Sequence, residues 1–188
     1  MTFTRQHAKG AIVWLHGRSA AGKSTLAALV ATEMDAMTQT RCVLLDGDGF
    51  RKTVSSDLGF DPASRVENIR RAAQTAHLLA SQGFMVLVAF ETPTQHLRAS
   101  ARSLAGSVPF VEVALSCSLE CCKRRDPKGL YAAATAHKLN ALSGLDAPFD
   151  PPHSAELIID TEQSSPAEAA QKIVAFLTTT WLSTPARP

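Results

Sequence analysis

The sequence predicts a three-layer α/β fold, a mostly parallel five-stranded sheet with helices on both faces, on three observations. Short apolar runs rich in Val, Ile and Leu alternate with longer stretches of helical periodicity, the pattern of a sheet covered on both sides. The first apolar run leads straight into a glycine-bearing loop, and that loop opens a helix. The chain has 188 residues, 45% of them hydrophobic and 19% charged, which suits one globular domain over 1–188 with a continuous core.

Strands are expected near 11–16, 42–46, 84–90, 109–115 and 156–160, each an apolar run too short for a helix. Between the first two, Lys23 to about Met34 carries Leu26, Leu29, Val30 and Met34 on one helical face. Ser64 and Glu67 form an S-x-x-E capping box, so the next helix should start at Arg65 and bury Val66, Ile69, Ala73, Ala76 and Ala80. A last helix is expected over 166–182. The segment from Asp126 to Pro152 differs, with Pro127 and Gly129 at its start, an alanine-rich middle, and Pro148, Pro151 and Pro152 at its end. It is expected to leave the sheet and form a lid of about 126–150, while the ends at 1–9 and 183–188 should fray. There is no internal repeat.

Lys and Arg number 19 against 17 Asp and Glu, a net charge of +2, and no run of like charge is long enough for a nucleic-acid arm. No nucleic-acid partner is expected. The longest apolar runs, such as Phe84 to Phe90, fall far short of the roughly 18 residues a membrane span needs. The polar N-terminus shows no export signal, so a cytoplasmic protein is expected. Cys42, Cys117, Cys121 and Cys122 lack CxxC spacing and a completing histidine, and read as reduced, mostly buried thiols.

Gly17-Arg18-Ser19-Ala20-Ala21-Gly22-Lys23-Ser24 matches G-x-x-x-x-G-K-[ST], between a strand and a helix as that motif requires. The spacing lets backbone N–H groups wrap a phosphate, with Lys23 reaching the outer phosphates and the Ser24 hydroxyl ligating Mg²⁺; Thr25 continues the site. A purine nucleoside triphosphate with magnesium is the expected ligand, phosphoryl transfer the expected chemistry, and the architecture becomes that of a P-loop NTPase.

The second strand ends in Leu45-Asp46-Gly47-Asp48, which delivers two acids to the carboxyl edge beside that loop, where open α/β sheets bind ligands. Alternation would point Asp46 and Asp48 to one side, one holding the metal and the other accepting a proton from an attacking hydroxyl; a merely solvated acidic turn is the other reading. Two D-x-x-G sequences occur, at Asp46 and Asp126, but no N-K-x-D, which argues against a GTPase switch.

The phosphate loop, Asp46-Gly47-Asp48 with Arg51, Asp57-Leu58-Gly59-Phe60, Arg65-Val66-Glu67-Asn68-Ile69-Arg70-Arg71 and Arg125-Asp126-Pro127-Lys128-Gly129-Leu130-Tyr131 together resemble the adenylyl-sulfate kinases in order and spacing. Gly144-Leu145-Asp146 with Pro148, and Asp160-Thr161, extend the resemblance over roughly 10–180. It implies transfer of the γ-phosphoryl of MgATP to the 3′-hydroxyl of adenosine 5′-phosphosulfate, giving 3′-phosphoadenosine 5′-phosphosulfate and ADP. It further implies Asp48 as base, Arg51, Arg65 and Asn68 as holders of phosphosulfate and ribose, Asp46 on the acceptor side, and Phe60 stacked on the acceptor's adenine. Arg125 and Lys128 would neutralise charge from the lid. Phe60 could instead plug the core, and Arg70 and Arg71 read as an exposed helical face.

The chain departs from the family pattern at several places. Ala132-Ala133-Ala134-Thr135 is uncharged where the family carries a basic run, and Leu142 stands at the second aromatic of the adenine sandwich. Glu91-Thr92-Pro93-Thr94-Gln95 replaces Ile-Ser-Pro-Tyr-Arg, with Thr92 keeping a hydroxyl at a phospho-acceptor position and Glu91 at a station that could order magnesium. Gly49 stands for a common asparagine. A kinase of another nucleotide-like hydroxyl and a non-catalytic ATP sensor are the competing readings, and the resemblance implies a homodimer. Nine bases, Arg51, Lys52, Arg65, Arg70, Arg71, Lys123, Arg124, Arg125 and Lys128, fall in the segments expected around the anions.

Overall fold

The computed structural model describes residues 10–38, 40–136 and 148–182. Their strands are β1 (Ala11–His16), β2 (Cys42–Asp46), β3 (Met85–Ala89), β4 (Phe110–Ser116) and β5 (Leu157–Asp160), all parallel in the order β2-β3-β1-β4-β5. Each lies within one residue of its expected bounds. β1 is central and buried along its whole length, because it has a strand on either side and helices above and below.

Alternation along the strands sorts side chains into two cores. Val13, Leu15, Met85, Leu87, Val113 and Ile159 meet α1 (Lys23–Thr38) and α7 (Pro166–Leu177). Ile12, Trp14, Val86 and Val88 meet α3 (Pro62–Ser81) and α4 (Gln95–Leu104) on the other face. Fully burying one such Val or Leu contributes about 1.5–3 kcal/mol, so these layers hold the strand ends that carry the site.

In α1 the buried set is Leu26, Ala27, Val30 and Met34, with Leu29 half-buried. α3 starts at Pro62 rather than Arg65: Asp61 is the cap and accepts from the Ser64 N–H, so Ser64 already lies in the first turn. Proline at the first helical position costs nothing there, which lets the acid three residues upstream win the cap. Val66 is exposed, and Asn68 and Ala72 take buried positions beside Ile69. The last helix stops at Leu177 and continues as a wide turn over Thr178–Leu182.

Four short elements have no counterpart in the expected set: α2 (Gly47–Lys52), α4, α5 (Leu119–Arg125) and α6 (Leu130–Thr135). α2, α4 and α5 open on side-chain caps, Asp46, Thr94 and Ser118, which supply what their brief or polar sequences lack in periodicity. The described start of the 126–152 excursion is packed rather than free. Tyr131 on α6 is buried and donates its hydroxyl to the Ser19 carbonyl at 3.1 Å, which pins α6 to the phosphate loop. The expected lid beyond residue 136, including Leu142 and Gly144 to Asp146, and the expected frayed ends at 1–9 and 183–188 lie outside the described residues.

Candidate active site

β1 ends at His16 and the chain turns at once into the loop Gly17–Gly22, which delivers Lys23 and Ser24 to the first turn of α1. A Cβ on Gly17 would stand 2.9 Å from the Leu115 carbonyl oxygen, so a side chain there would push the loop off β4. Ala20 has φ 62° and Gly22 φ 96°, two left-handed residues that curl the loop so that its N–H groups converge. The Lys23 ammonium donates to the carbonyls of Gly17 at 3.0 Å and Arg18 at 2.8 Å. Burial pushes its pKa down, opposed chiefly by the Glu91 carboxylate.

The adjoining cleft has a volume of about 610 Å³ and is lined by residues from both sides of the sheet edge. Its lining includes Ser19 to Thr25 from the loop and α1, Asp46, Asp48, Arg51, Phe60, Arg65 and Asn68 from β2 to α3, and Arg125 and Lys128 from the end of α5 onward. Thus the expected site residues converge, with four exceptions, the first being Gly17, which packs against β4 rather than lining the cleft. Arg18 is not on the wall: its guanidinium reaches the Cys117 carbonyl at 3.4 Å and lies over the Phe149 ring at 4.9 Å. Thr92 is fully buried and its hydroxyl accepts from the Trp14 indole N–H at 2.9 Å, so it does not present itself as a phospho-acceptor. Leu142 lies outside the described residues.

The two acids sit differently from what alternation implied. Only Asp46 ends the strand, whereas Asp48 is on the helix α2 that Asp46 itself caps. Asp46 accepts from the Ser24 hydroxyl and from the N–H groups of Asp48 and Gly49. Partial burial works to raise its pKa, but these three donors hold it below the ordinary carboxylate value. Asp48 is exposed and forms an ion pair with Lys128, which bridges the cleft from the segment after α5. Both acids have partners across the cleft, Asp46 at Ser24 and Asp48 at Lys128.

Phe60 is 61% exposed, so it is no core plug. The Arg51 guanidinium lies over its ring at 4.5 Å and donates to the Gly59 carbonyl at 2.7 Å. Arg65 Nε donates to the Phe60 carbonyl at 2.9 Å. Asn68 is buried, and its Oδ1 has no hydrogen-bond partner among the described residues. A buried acceptor left open on a cleft wall is suited to a ligand's hydroxyl or amino group.

Of the nine bases expected near the anions, Arg51, Arg65, Arg125 and Lys128 line the cleft. Arg70 pairs with Glu67, and Arg71 with Asp57, Glu67 and the Val54 carbonyl, outside it. Two groups went unnoticed in the sequence: Ser164 and Ala169 line the cleft together with Thr161, whose carbonyl accepts from the Arg125 guanidinium. Nothing local marks them, because they follow β5 and reach the site only through sheet order. Glu91 lines the cleft too, with a buried Oε1 that has no hydrogen-bond partner among the described residues. All four cysteines are free, three of them buried; Cys117, Cys121 and Glu162 place ligand atoms within 4.8 Å, but Glu162 is committed to the Ser118 N–H and to Arg124.

The family model described as adenylylsulphate kinase matches residues 9–160. The chain is 39% identical over 176 residues to an adenylyl-sulfate kinase of Oceanobacillus iheyensis, covering 92% of this chain and 88% of that one. It is 42% identical to that of Geotalea uraniireducens over 88% of this chain and 79% of the other. Among solved structures, the Mycobacterium tuberculosis APS kinase in complex with AMPPNP and APS superposes with a TM-score of 0.86 at 39% identity, over 90% of this chain and 98% of that one. A Sinorhizobium meliloti gluconokinase, at 16% identity and TM-score 0.62 over 93% and 94% of the two chains, shares the fold alone.

Proposed function

The chain belongs to the adenylyl-sulfate kinase family and is an ATP-dependent kinase of adenylyl sulfate; from that premise we propose how its cleft divides the work. The phosphates of ATP sit at the N-terminus of α1, on the N–H groups of the loop, where the helix dipole also favours negative charge. Lys23 leaves the Gly17 and Arg18 carbonyls for the outer phosphates, gaining charged partners for its buried ammonium. Thr161, Ser164 and Arg125 close the nucleotide side.

The oxygen donors fit magnesium. The Ser24 hydroxyl and Asp46 carboxylate are in contact, and Glu91 offers a further oxygen on the same cleft. When bound there, the ion would neutralise phosphate charge; Ser24 and Asp46 would hold it.

On the acceptor side Phe60 takes the adenine face, with Arg51 stacked on its ring, and Arg65 and Asn68 in the first turns of α3 take the phosphosulfate and ribose. Asp48 accepts the proton of the 3′-hydroxyl, whose oxygen bonds to the γ-phosphorus as the bond to the ADP oxygen breaks. Lys128 starts on Asp48 and is placed to follow the charge to the transferring group. Such a transfer is mainly a matter of positioning and charge, which is what these side chains supply. The observation that carries this assignment is that one cleft joins Lys23 and Ser24 to Asp48, Phe60, Arg65 and Asn68. An ADP-release assay comparing adenylyl sulfate with a panel of other nucleotides tests it. Adenylyl sulfate should turn over fastest, and no rate above the ATPase background would overturn the assignment.

Family resemblance supports a homodimer, which light scattering tests. Among the described residues no helix is long and apolar enough to cross a membrane.

A further inference from the structure

Arg98 is among the largest fully buried side chains of the described residues, and a buried guanidinium is tolerated only where its charge is paired and most of its donors are met; here Nε alone makes no hydrogen bond among those residues. Its Nη1 donates to the carbonyls of Thr92 at 3.2 Å and Pro93 at 3.0 Å, and its Nη2 to those of Asp150 at 3.2 Å and Pro151 at 2.8 Å. Its Nε lies 3.5 Å from Glu112, itself fully buried, and the other oxygen of Glu112 takes Arg102 at 3.3 Å. One side chain therefore joins two distant stretches of chain, the loop that follows Glu91 and the limb that returns from the 126–152 excursion.

Both stretches lead to the nucleotide loop. Asp150 is stitched further by its N–H to the Pro93 carbonyl at 2.8 Å and by its carboxylate to the Gln95 N–H at 2.8 Å. The residue before it, Phe149, lies under the guanidinium of Arg18 in the phosphate loop. From the other direction, Glu112 lies 3.1 Å from Nε2 of His16, the residue just before Gly17. Burial of Arg98 thus ties both sides of the first turn of the loop to one point.

We propose that Arg98 is a positioning residue for the ATP site: by holding Asp150 and Pro151 it seats Phe149 against Arg18 and sets the phosphate loop for its ligand. It touches no reacting atom. Lysine could keep the charge facing Glu112 but cannot offer four carbonyls a planar fork, so Arg98→Lys isolates the clamp from the charge.

The inference rests on the kinase assignment only for the identity of the nucleotide, so the readout is MgATP affinity by calorimetry rather than turnover. A chain that binds ATP but leaves adenylyl sulfate untouched would overturn the proposed function and leave this test intact. Phe149→Leu should weaken MgATP binding about two- to five-fold, the size of an exposed cation–π contact. Arg98→Lys should weaken it at least as much, and the double variant no more than Arg98→Lys alone, because one residue acts through the other. Independent, multiplying losses would overturn the proposal, as would a lower melting temperature for Arg98→Lys with unchanged affinity. Should Arg98→Lys fail to fold, Asp150→Ala removes the Gln95 tether while leaving the buried arginine in place. It should weaken MgATP binding, and unchanged affinity would overturn the clamp.

Discussion

The nucleotide side of the cleft draws most of its groups from consecutive residues, Ser19 to Thr25, with Arg125, Thr161 and Ser164 added from elsewhere, whereas the acceptor side draws its from four separate stretches around Asp48, Phe60, Arg65 and Lys128. The first is built largely of backbone, shaped by two left-handed residues and fastened to β1 and α1. The second is built of side chains whose positions depend on exposed pairs such as Lys128 with Asp48 and Arg51 over Phe60. The difference teaches where each half is vulnerable. Backbone donors survive most substitutions, while an acceptor site held by surface charges responds to single side chains, salt and pH.

The largest effect is expected where the two halves meet. Asp48→Asn should lower kcat by about 10²- to 10⁴-fold, the usual contribution of a general base, while calorimetry shows MgATP affinity largely kept. Unchanged turnover would instead remove Asp48 from the role of base. On the nucleotide side, Lys23→Ala removes a charge-assisted contact worth about 1.5–3 kcal/mol, so MgATP affinity should fall by roughly ten- to more than a hundred-fold. Equal affinity in variant and parent would remove the phosphate-loop assignment.

Phe60→Ala probes the acceptor half alone. Loss of one stacking face should weaken adenylyl sulfate binding by about 1–3 kcal/mol and leave the KM for ATP alone, which steady-state kinetics with each substrate varied will show. A change in both constants would mean the halves are less separate than their construction suggests.

A smaller effect concerns the pairs behind the acceptor wall. Arg71 holds Asp57 below its ordinary value, and Arg70, then Arg71, bring Glu67 down to about 2. Because both folded pKa values are depressed, the stability these carboxylates contribute is present above about pH 4.5 and is lost as pH falls toward 2. Arg71→Met should flatten the fall of melting temperature across that window; an unchanged slope would show the pairs to be idle. The smallest effect is expected in the loop itself. Ala20→Gly removes the cost of a left-handed alanine but frees the unfolded chain, for a net gain of less than about 1 kcal/mol in thermal unfolding.

How much of this could be read in advance follows the same division. The strands were legible to within a residue because continuous apolar runs have few other ways to be buried, and the phosphate loop because its function depends on consecutive residues. The start of α3 was misplaced because Asp61 and Ser64 both offer caps, and Pro62 at the first helical position lets Asp61 take it. Asp48 was assigned to a strand edge because six residues with two glycines show no helical period, yet Asp46 caps them into α2. Thr92 looked like a free hydroxyl because nothing near it in sequence foretells the Trp14 indole 78 positions away.

By itself the sequence determined the layered parallel fold and the phosphate-loop motif, since these depend on local period and spacing. Tertiary structure alone decided which of nine cations face the cleft, that Arg18 turns away to Phe149, and that Arg98 is buried among four carbonyls. Those outcomes rest on which strand ends lie side by side and on where a buried charge can find partners. Both are properties of contacts between residues far apart in the chain, which no window of neighbouring residues records.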